Sequence, residues 1–142
     1  MAREALPSYR VGNDLDIAQV IDLYVASTLG ERRPVDDRER MSAMLANADL
    51  VVTAWDGPLL VGIARSLTDW AYLTYCSDLA VRASHQRQGI GVELLRRTRA
   101  ECWPGCRLVL LAAPGAVEYY PRIGMKQHPS AWQLGKDDEL RA

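Results

Sequence analysis

The sequence lacks a long apolar run, and it lacks an excess of charge of one sign. No apolar stretch of about 18 residues, the length that a membrane-spanning helix needs, occurs among its 142 residues. Its 17 basic and 18 acidic side chains nearly balance, which argues against general nucleic-acid binding. The first residues contain no apolar signal-peptide core. We therefore expect a cytoplasmic protein with neither a membrane nor a nucleic acid as partner.

Cysteine is also scarce. Cys76, Cys102 and Cys106 are an odd number, which predicts free thiols in a reducing compartment. Cys102 and Cys106 are four positions apart, but no histidine or second cysteine pair nearby completes a zinc site, so we expect no metal. The chain is 49% hydrophobic, and at this length residues 1–142 can bury the core of one domain without disulfides or metal.

Apolar periodicity predicts alternating helices and strands. The predicted helices are 14–29, 38–48, 89–102 and 114–120, and the predicted strands are 50–55, 59–67, 72–82, 107–112 and 126–134. Asp56-Gly57 is a hairpin turn signal, so the first three of these strands are expected to form an antiparallel meander. Pro121 is expected to end or kink the last helix. The order predicts an α+β, or mixed α/β, domain.

The most informative segment joins the third predicted strand to helix 89–102, the best-defined of the predicted helices. Residues 82–88 are mostly polar, and Gly89 and Gly91 open the helix. The first backbone amides of a helix have no internal partner and lie at its positive end, and glycine lets an anion approach closely. This pattern favours a phosphate or pyrophosphate site. It is neither a Walker loop nor a dinucleotide-binding fingerprint, and a merely flexible helix start stays open as the alternative.

Three motifs resemble those of one known family. Gln86–Gly91 (QRQGIG) resembles the Q/R-x-x-G-x-G/A signature of the GNAT acyl-CoA N-acyltransferases. Asp78–Val81 (DLAV) resembles that family's fourth strand, and Tyr119–Met125 (YYPRIGM) is similar to its aromatic segment near the end of the domain. The resemblance extends from about Asp14 to Leu134. It implies a central, mostly antiparallel sheet that is splayed in the middle and flanked by about four helices.

The resemblance also implies acetyl-CoA as co-substrate, bound where strands 72–82 and 107–112 splay apart. It implies contacts from the backbone of strand residues to the pantetheine arm, and from the loop and helix start to the pyrophosphate. The residues concerned are Leu79, Ala80 and Val81 for the arm, and Arg87, Gln88, Gly89, Ile90, Gly91 and Val92 for the pyrophosphate. Many members carry an asparagine before the last helix. This chain has Ala112–Gly115 there instead, so that contact is missing or supplied by backbone.

Tyr120 matches the position of the family's tyrosine acid, and a phenol stays protonated at neutral pH. Tyr119, its neighbour, is assigned to packing because adjacent helical residues face about 100° apart. Asp78 is a carboxylate in an apolar strand and is the candidate base. A structural hydrogen bond to a neighbouring loop remains the alternative for Asp78. His85 can also act as a base, but its place in the loop predicts an exposed side chain.

The resemblance implies direct transfer of acetyl from acetyl-CoA to a primary amine of a small molecule. Two other functions stay open, an acyl-CoA-binding sensor or scaffold without turnover and a protein lysine or N-terminal acetyltransferase. Four acidic residues are expected near the opening, where they would suit a cationic amine or form an ordinary solvated surface. They are Glu31, Asp36, Asp37 and Asp69. Dimers are common in the family and among soluble proteins, so we expect a homodimer.

Overall fold

The computed structural model describes residues 7–142, which form two compact units divided after Leu111. The first contains β1 (Ser8–Val11), α1 (Ile17–Ala26), a 3-10 helix (Thr28–Arg32), α2 (Arg38–Ala46), β2 (Leu50–Asp56), β3 (Leu59–Thr68), β4 (Leu73–Val81), a 3-10 helix (Ala83–His85), α3 (Ile90–Ala100) and β5 (Arg107–Leu110). The second contains a 3-10 helix (Pro114–Ala116) and α4 (Tyr119–Arg122). No helix among the described residues is long and apolar enough to cross a membrane.

The first unit is built on one five-stranded sheet with the strands in sequence order. Strands β1 to β4 pair antiparallel, and β4 pairs with β5 in parallel. The tight turn between β2 and β3 contains Gly57 at a φ of 57°, a left-handed conformation that glycine adopts without strain. The parallel pair needs a crossover, and α3 provides it. The predicted mixed α/β class and mostly antiparallel sheet are confirmed.

Strands β4 and β5 separate part of the way along. Their pairing runs from Leu73 opposite Arg107 to Cys76 opposite Leu110, and then stops. At the same level β4 is bulged, because Cys76 pairs with Ser66 and Asp78 pairs with Arg65, which leaves Ser77 between them without a partner in β3. Bulges bend a strand and increase its local twist. We call this point, where β5 leaves β4 at Cys76, the fork.

The core of the first unit lies on the sheet under α1 and α2. Val20, Leu23 and Tyr24 of α1 are buried against residues such as Val51 and Ile63 of the sheet. Each fully buried aliphatic side chain of this kind contributes about 1.5–3 kcal/mol. Asp16 begins α1 by accepting a hydrogen bond from the amide of Ala18 at 2.9 Å, as an N-cap aspartate does.

Helix α3 lies against the same sheet through a different residue set. Ile90, Leu94 and Leu95 are buried. Gly62 of β3 faces them closely, because a Cβ placed there would lie 3.0 Å from Leu94 Cδ1 and 3.1 Å from Ile90 Cγ2. The missing side chain therefore lets the helix that follows the 82–89 loop approach the sheet.

The structure corrects three of the predicted elements. β1 was not predicted: it has only four residues, and three of them are exposed. Residues 126–134 form no strand. Pro129 has no backbone N–H to donate to a neighbouring strand, and apolar alternation produces a strand only where a neighbouring strand is available for pairing. Pro121 does not end a helix. It lies in the first turn of α4, where its missing N–H is not required.

Candidate functional site

The loop at residues 82–89 is held to the sheet by several hydrogen bonds. The amide of Arg82 donates to the carbonyl of Val61 at 2.8 Å, and Gln86 Nε2 donates to the carbonyl of Val81 at 3.0 Å. His85 lies between two partners, with Nε2 2.9 Å from Asp56 Oδ2 and Nδ1 2.7 Å from Ser84 Oγ. The His85 side chain is only 17% exposed, so the expectation of an exposed histidine was wrong.

The loop ends in two left-handed residues. Arg87 has a φ of 64°, and Gly89, the N-cap of α3, has a φ of 80°. A Cβ at Gly89 would meet no atom within 4 Å, so the space in front of this residue is open. Left-handed backbone next to a helix start turns successive amides toward one side, which is the geometry of an anion-binding concavity.

The backbone amides at this helix start are available to a ligand. The first amide that bonds back into the helix is that of Glu93, which donates to the carbonyl of Gly89 at 3.1 Å. Within residues 7–142, the amides from Arg87 to Val92 have no protein acceptor. Glu93 is the acidic residue of the first turn, and its carboxylate is paired with Arg96 and Arg97. The helix start can therefore stabilise a bound anion through its amides and its dipole.

The open edge of β4 adjoins this loop. Beyond the fork, Leu79, Ala80 and Val81 pair with β3 on one side. On the other side they have no strand partner among the described residues. Backbone donors and acceptors along such an edge can pair with an extended ligand. The structure thus brings together, in one unit, all nine residues predicted to contact acetyl-CoA.

Asp78 lies in the same stretch of β4, but its carboxylate is fully buried. Oδ1 accepts from Arg33 Nε at 2.6 Å, and Oδ2 accepts from Arg65 Nε and from the Tyr24 hydroxyl, each at 2.6 Å. We call these four residues the Asp78 cluster. Its three donors supply both carboxylate oxygens with strong, charge-assisted hydrogen bonds.

The surroundings of Asp78 set its protonation state. Burial alone raises the pKa of a carboxyl group, but the hydrogen bond and charge of Arg65, with hydrogen bonds from Tyr24 and Arg33, outweigh burial and lower the pKa of Asp78. Burial and the neighbouring carboxylate raise the pKa of Tyr24, which keeps its hydroxyl a donor. A carboxylate so held is a weak base, and the geometry favours the structural alternative for Asp78.

Tyr120 lies on α4 in the second unit, and its ring packs edge-on against Tyr119 with the centroids 5.2 Å apart. Both rings are partly exposed. The carbonyl of Tyr120 accepts from the amide of Met125 at 3.0 Å, which closes the turn after the helix. The acid role of Tyr120 stays a prediction from the sequence.

Two of the four acidic residues expected near the opening have structural partners. Asp37 is the N-cap of α2 and accepts from the amide of Arg40, which lowers its pKa. Asp69 Oδ1 accepts from the amides of Ala71, Tyr72 and Leu73 in the turn before β4, and these bonds lower its pKa. These local backbone hydrogen bonds explain both residues without a bound amine.

Sequence reasoning missed the partners of Asp78. Arg65 interrupts the apolar strand β3, and its side chain is 8% exposed. A buried arginine requires a buried anion, so Arg65 and Asp78 together were a detectable signal. Arg33 carried no such signal, because it stands in a charged segment that resembles an ordinary surface loop.

Comparison with known proteins gives one family and one fold. The GNAT acetyltransferase domain model matches residues 47–126, whereas no curated protein matches the sequence. Among solved structures, a GNAT-family acetyltransferase from Streptococcus pneumoniae TIGR4 is 21% identical with a TM-score of 0.74, and the match covers 93% of this chain and 100% of that one.

Two aminoglycoside acetyltransferases also share the fold. The aminoglycoside N-acetyltransferase AAC(6')-Iy, solved with CoA, is 16% identical with a TM-score of 0.73, and the match covers 96% of this chain and 99% of that one. An enzyme from an uncultured soil metagenomic sample, solved with sisomicin, is 21% identical with a TM-score of 0.69, over 95% and 97% of the two chains.

Proposed function

The chain belongs to the GNAT acetyltransferase family, and we propose that it transfers acetyl from acetyl-CoA to a primary amine of a small molecule. The observation that carries the proposal is the start of α3. There the left-handed Gly89 and the amides from Arg87 to Val92, which have no acceptor within residues 7–142, adjoin the edge of β4 that is open in that part of the chain. An anion site beside an unpaired strand edge suits a ligand with a pyrophosphate and a long amide-bearing arm.

In this proposal the two ends of acetyl-CoA bind to different parts of the first unit. The pyrophosphate binds the amides of Arg87, Gln88, Gly89, Ile90, Gly91 and Val92, and the Arg87 side chain adds positive charge. The pantetheine arm pairs with the backbone of Leu79, Ala80 and Val81. The thioester then lies near the fork, where β4 and β5 separate.

The chemistry requires two proton transfers. The acceptor amine must lose a proton before it attacks the thioester, because an ammonium has no lone pair. The attack produces an oxyanion that backbone amides can stabilise. The departing thiolate gains a proton, and Tyr120 is the proposed donor. Since Asp78 is held by three donors, the amine is proposed to lose its proton to water instead.

Because the Asp78 carboxylate already accepts three hydrogen bonds of 2.6 Å, a second candidate function is also supported, that of an acyl-CoA sensor without turnover. A sensor needs the anion site and the open strand edge but no base. The two candidates differ in one measurable property, which is the release of free CoA thiol in the presence of an amine.

We also infer a cytoplasmic location and a homodimer. The location is supported by three free cysteines, since Cys76, Cys102 and Cys106 form no disulfide and a reducing compartment preserves thiols. The homodimer rests on the general frequency of such assemblies. Light scattering coupled to gel filtration measures it directly, and a mass near 15.8 kDa would contradict it.

The proposed function is tested in two stages. Calorimetric titration with acetyl-CoA, and with CoA in parallel, should give dissociation constants in the micromolar range. Thiol release should then be measured with a panel containing an aminoglycoside, a polyamine and a lysine peptide. Release with a small amine supports the proposal, release with the peptide alone supports a protein acetyltransferase, and binding without release supports the sensor. An absence of binding at millimolar acetyl-CoA would overturn both the anion site and the activity.

A further inference from the structure

The Asp78 cluster contains more positive charge than its one carboxylate requires. Arg65 is almost completely buried, with its side chain 8% exposed, and alone it would neutralise Asp78. Arg33 adds a second guanidinium to the same carboxylate, and its side chain is 22% exposed. A buried ion pair is stable only when further hydrogen bonds satisfy the remaining oxygen atoms, and Arg33 supplies the bond to Oδ1. A neutral donor would satisfy Oδ1 as well, so the second positive charge calls for an explanation other than neutralising Asp78.

The hydrogen bonds of Arg33 to the backbone provide this explanation. Its Nη2 donates to the carbonyl of Ser77 at 2.8 Å, while its Nε donates to Asp78 at 2.6 Å. Ser77 is the bulged residue of β4 and has no partner in β3. One planar guanidinium thus bonds to the backbone of the bulge and to the side chain of the following residue. Such a two-point contact fixes orientation as well as distance.

The contact of Arg33 with Ser77 lies at the point where β4 loses its pairing with β5. Ser77 is the first residue past the fork, because Cys76 is the last β4 residue that pairs with β5. The carbonyl of Ser77 would lose the hydrogen bond from Arg33 Nη2 if Arg33 were removed. A bulge disrupts the ladder locally, and beyond the fork β4 pairs with β3 alone. Arg33 therefore fixes the path of β4 where its open edge begins.

Arg33 also links two parts of the chain that are distant in sequence. It follows the 3-10 helix Thr28–Arg32, and its Nη1 donates to the carbonyl of Arg32 at 2.8 Å. The Arg33 side chain thus forms hydrogen bonds between the segment that joins α1 to α2 and strand β4.

We propose that Arg33 is a positioning residue, whose guanidinium holds the β4 bulge at Ser77 and Asp78 and thereby sets the open strand edge that receives the thioester end of acetyl-CoA. This inference rests on the proposed function. Arg33 itself contacts no reacting atom and acts through the backbone of β4. The pyrophosphate amides of the α3 start lie outside its contacts.

Three variants separate this role from general stability. Arg33→Ala removes both contacts, and Arg33→Lys keeps the charge but offers a single ammonium in place of a planar fork. Arg32→Ala is the matched control, since it removes the same charge from the adjacent position, where the side chain is exposed and has no bond among the described residues. Thermal unfolding of each variant shows whether the fold is retained.

Two ligands distinguish binding at the pyrophosphate end of the acetyl-CoA site from binding at the thioester end. Acetyl-CoA carries the pyrophosphate and the arm with the thioester, whereas 3′-phosphoadenosine 5′-diphosphate carries the phosphate end alone. We expect Arg33→Ala to weaken acetyl-CoA binding about tenfold, the loss expected when the displaced strand edge forfeits one or two neutral backbone hydrogen bonds to the pantetheine arm. Binding of the phosphate fragment should stay within about twofold, as expected for independent sites. Arg33→Lys should fall between Arg33→Ala and the native protein.

Each outcome is decisive. An equal loss for both ligands would mean a general structural role, and an unchanged acetyl-CoA affinity would mean that the fork does not depend on Arg33. Either result overturns the inference while leaving the proposed function intact. If the native protein binds neither ligand, the proposed function fails, and this inference fails with it. If the native protein binds acetyl-CoA no more tightly than the fragment, the arm does not bind the open edge and the inference is wrong.

Discussion

Arg33 Nε lies 2.6 Å from Asp78 Oδ1, although the two residues are 45 positions apart in the sequence. The contact joins the segment before α2 to the bulge of β4. With Arg65 and Tyr24 it surrounds a carboxylate that is fully buried. The hydrogen bonds and burial of Asp78 thus favour a structural role for a residue that resembled a catalytic base in the sequence.

Asp78→Asn should lower the free energy of unfolding by about 3–5 kcal/mol, because it leaves a buried guanidinium without its counter-charge. The measurement is chemical denaturation at neutral pH. Asp22→Asn is the matched control, since Asp22 forms an ion pair with Arg82 in which its carboxylate is 66% exposed, and surface pairs contribute about 0–1 kcal/mol. Equal stability losses in the two variants would contradict the structural role of Asp78.

The same cluster predicts the pH dependence of stability. The pKa of Asp78 is lowered in the folded state, so its stabilisation is fully present above the unfolded pKa of about 3.9 and is lost as pH falls through the folded value. The native protein should therefore lose stability on acidification more steeply than Asp78→Asn. If the free energies of unfolding of the native protein and of Asp78→Asn fell in parallel below pH 4, the carboxylate of Asp78 would not be held by these hydrogen bonds. A pH–rate profile that loses its acidic limb in Asp78→Asn, with stability unchanged, would restore the base hypothesis.

Gly89→Glu should abolish CoA binding, with a loss of at least about 100-fold, because a carboxylate would lie beside the bound pyrophosphate. Titration calorimetry with CoA measures the effect. Gly105→Glu is the control, since Gly105 also has a positive φ, of 87°, and open space at its Cβ. Both variants carry a left-handed strain of about 1–2 kcal/mol, but only the first should lose CoA. Undiminished affinity in Gly89→Glu would remove the pyrophosphate from this helix start.

Tyr120→Phe should lower turnover by about 100-fold, the low end of what general acid–base catalysis contributes. It should leave acetyl-CoA affinity nearly unchanged. Tyr119→Phe, on the same helix, is the control and should retain turnover. Thiol-release rates at saturating acetyl-CoA distinguish the two variants, and an unaltered rate in Tyr120→Phe would exclude this phenol from the mechanism.

His85→Ala should weaken CoA binding by about threefold to tenfold, because the loop must then be ordered on binding. The side chain bridges Asp56 and Ser84 at 2.9 and 2.7 Å, which holds the loop against the β2–β3 turn. His128→Ala is the control, since its ring accepts only from the amide of Ser130 among the described residues. Affinities for CoA that match in the two variants would show that the bridge does not order the loop.

The sequence predicted the parts of this protein that local chemistry sets. The Asp56-Gly57 turn, the apolar strands β2 to β4 and the glycine-rich start of α3 each depend on residues within one segment, so periodicity and turn chemistry are sufficient to find them. The order of those segments, with the motif at Gln86–Gly91, was enough to identify the family.

The tertiary structure decided what those parts do together. Arg65, a charged residue within an apolar strand, could have indicated a partner for Asp78, but nothing in the sequence indicated that Arg33, 45 positions away, also binds this carboxylate. The bulge at Ser77 and the end of β5 pairing at Cys76 depend on the register of three strands. Residues 126–134 had the pattern of a strand but form none, because strand formation requires a partner. Hydrogen bonds between distant segments fix these features, and a sequence read along its length cannot show which segments meet.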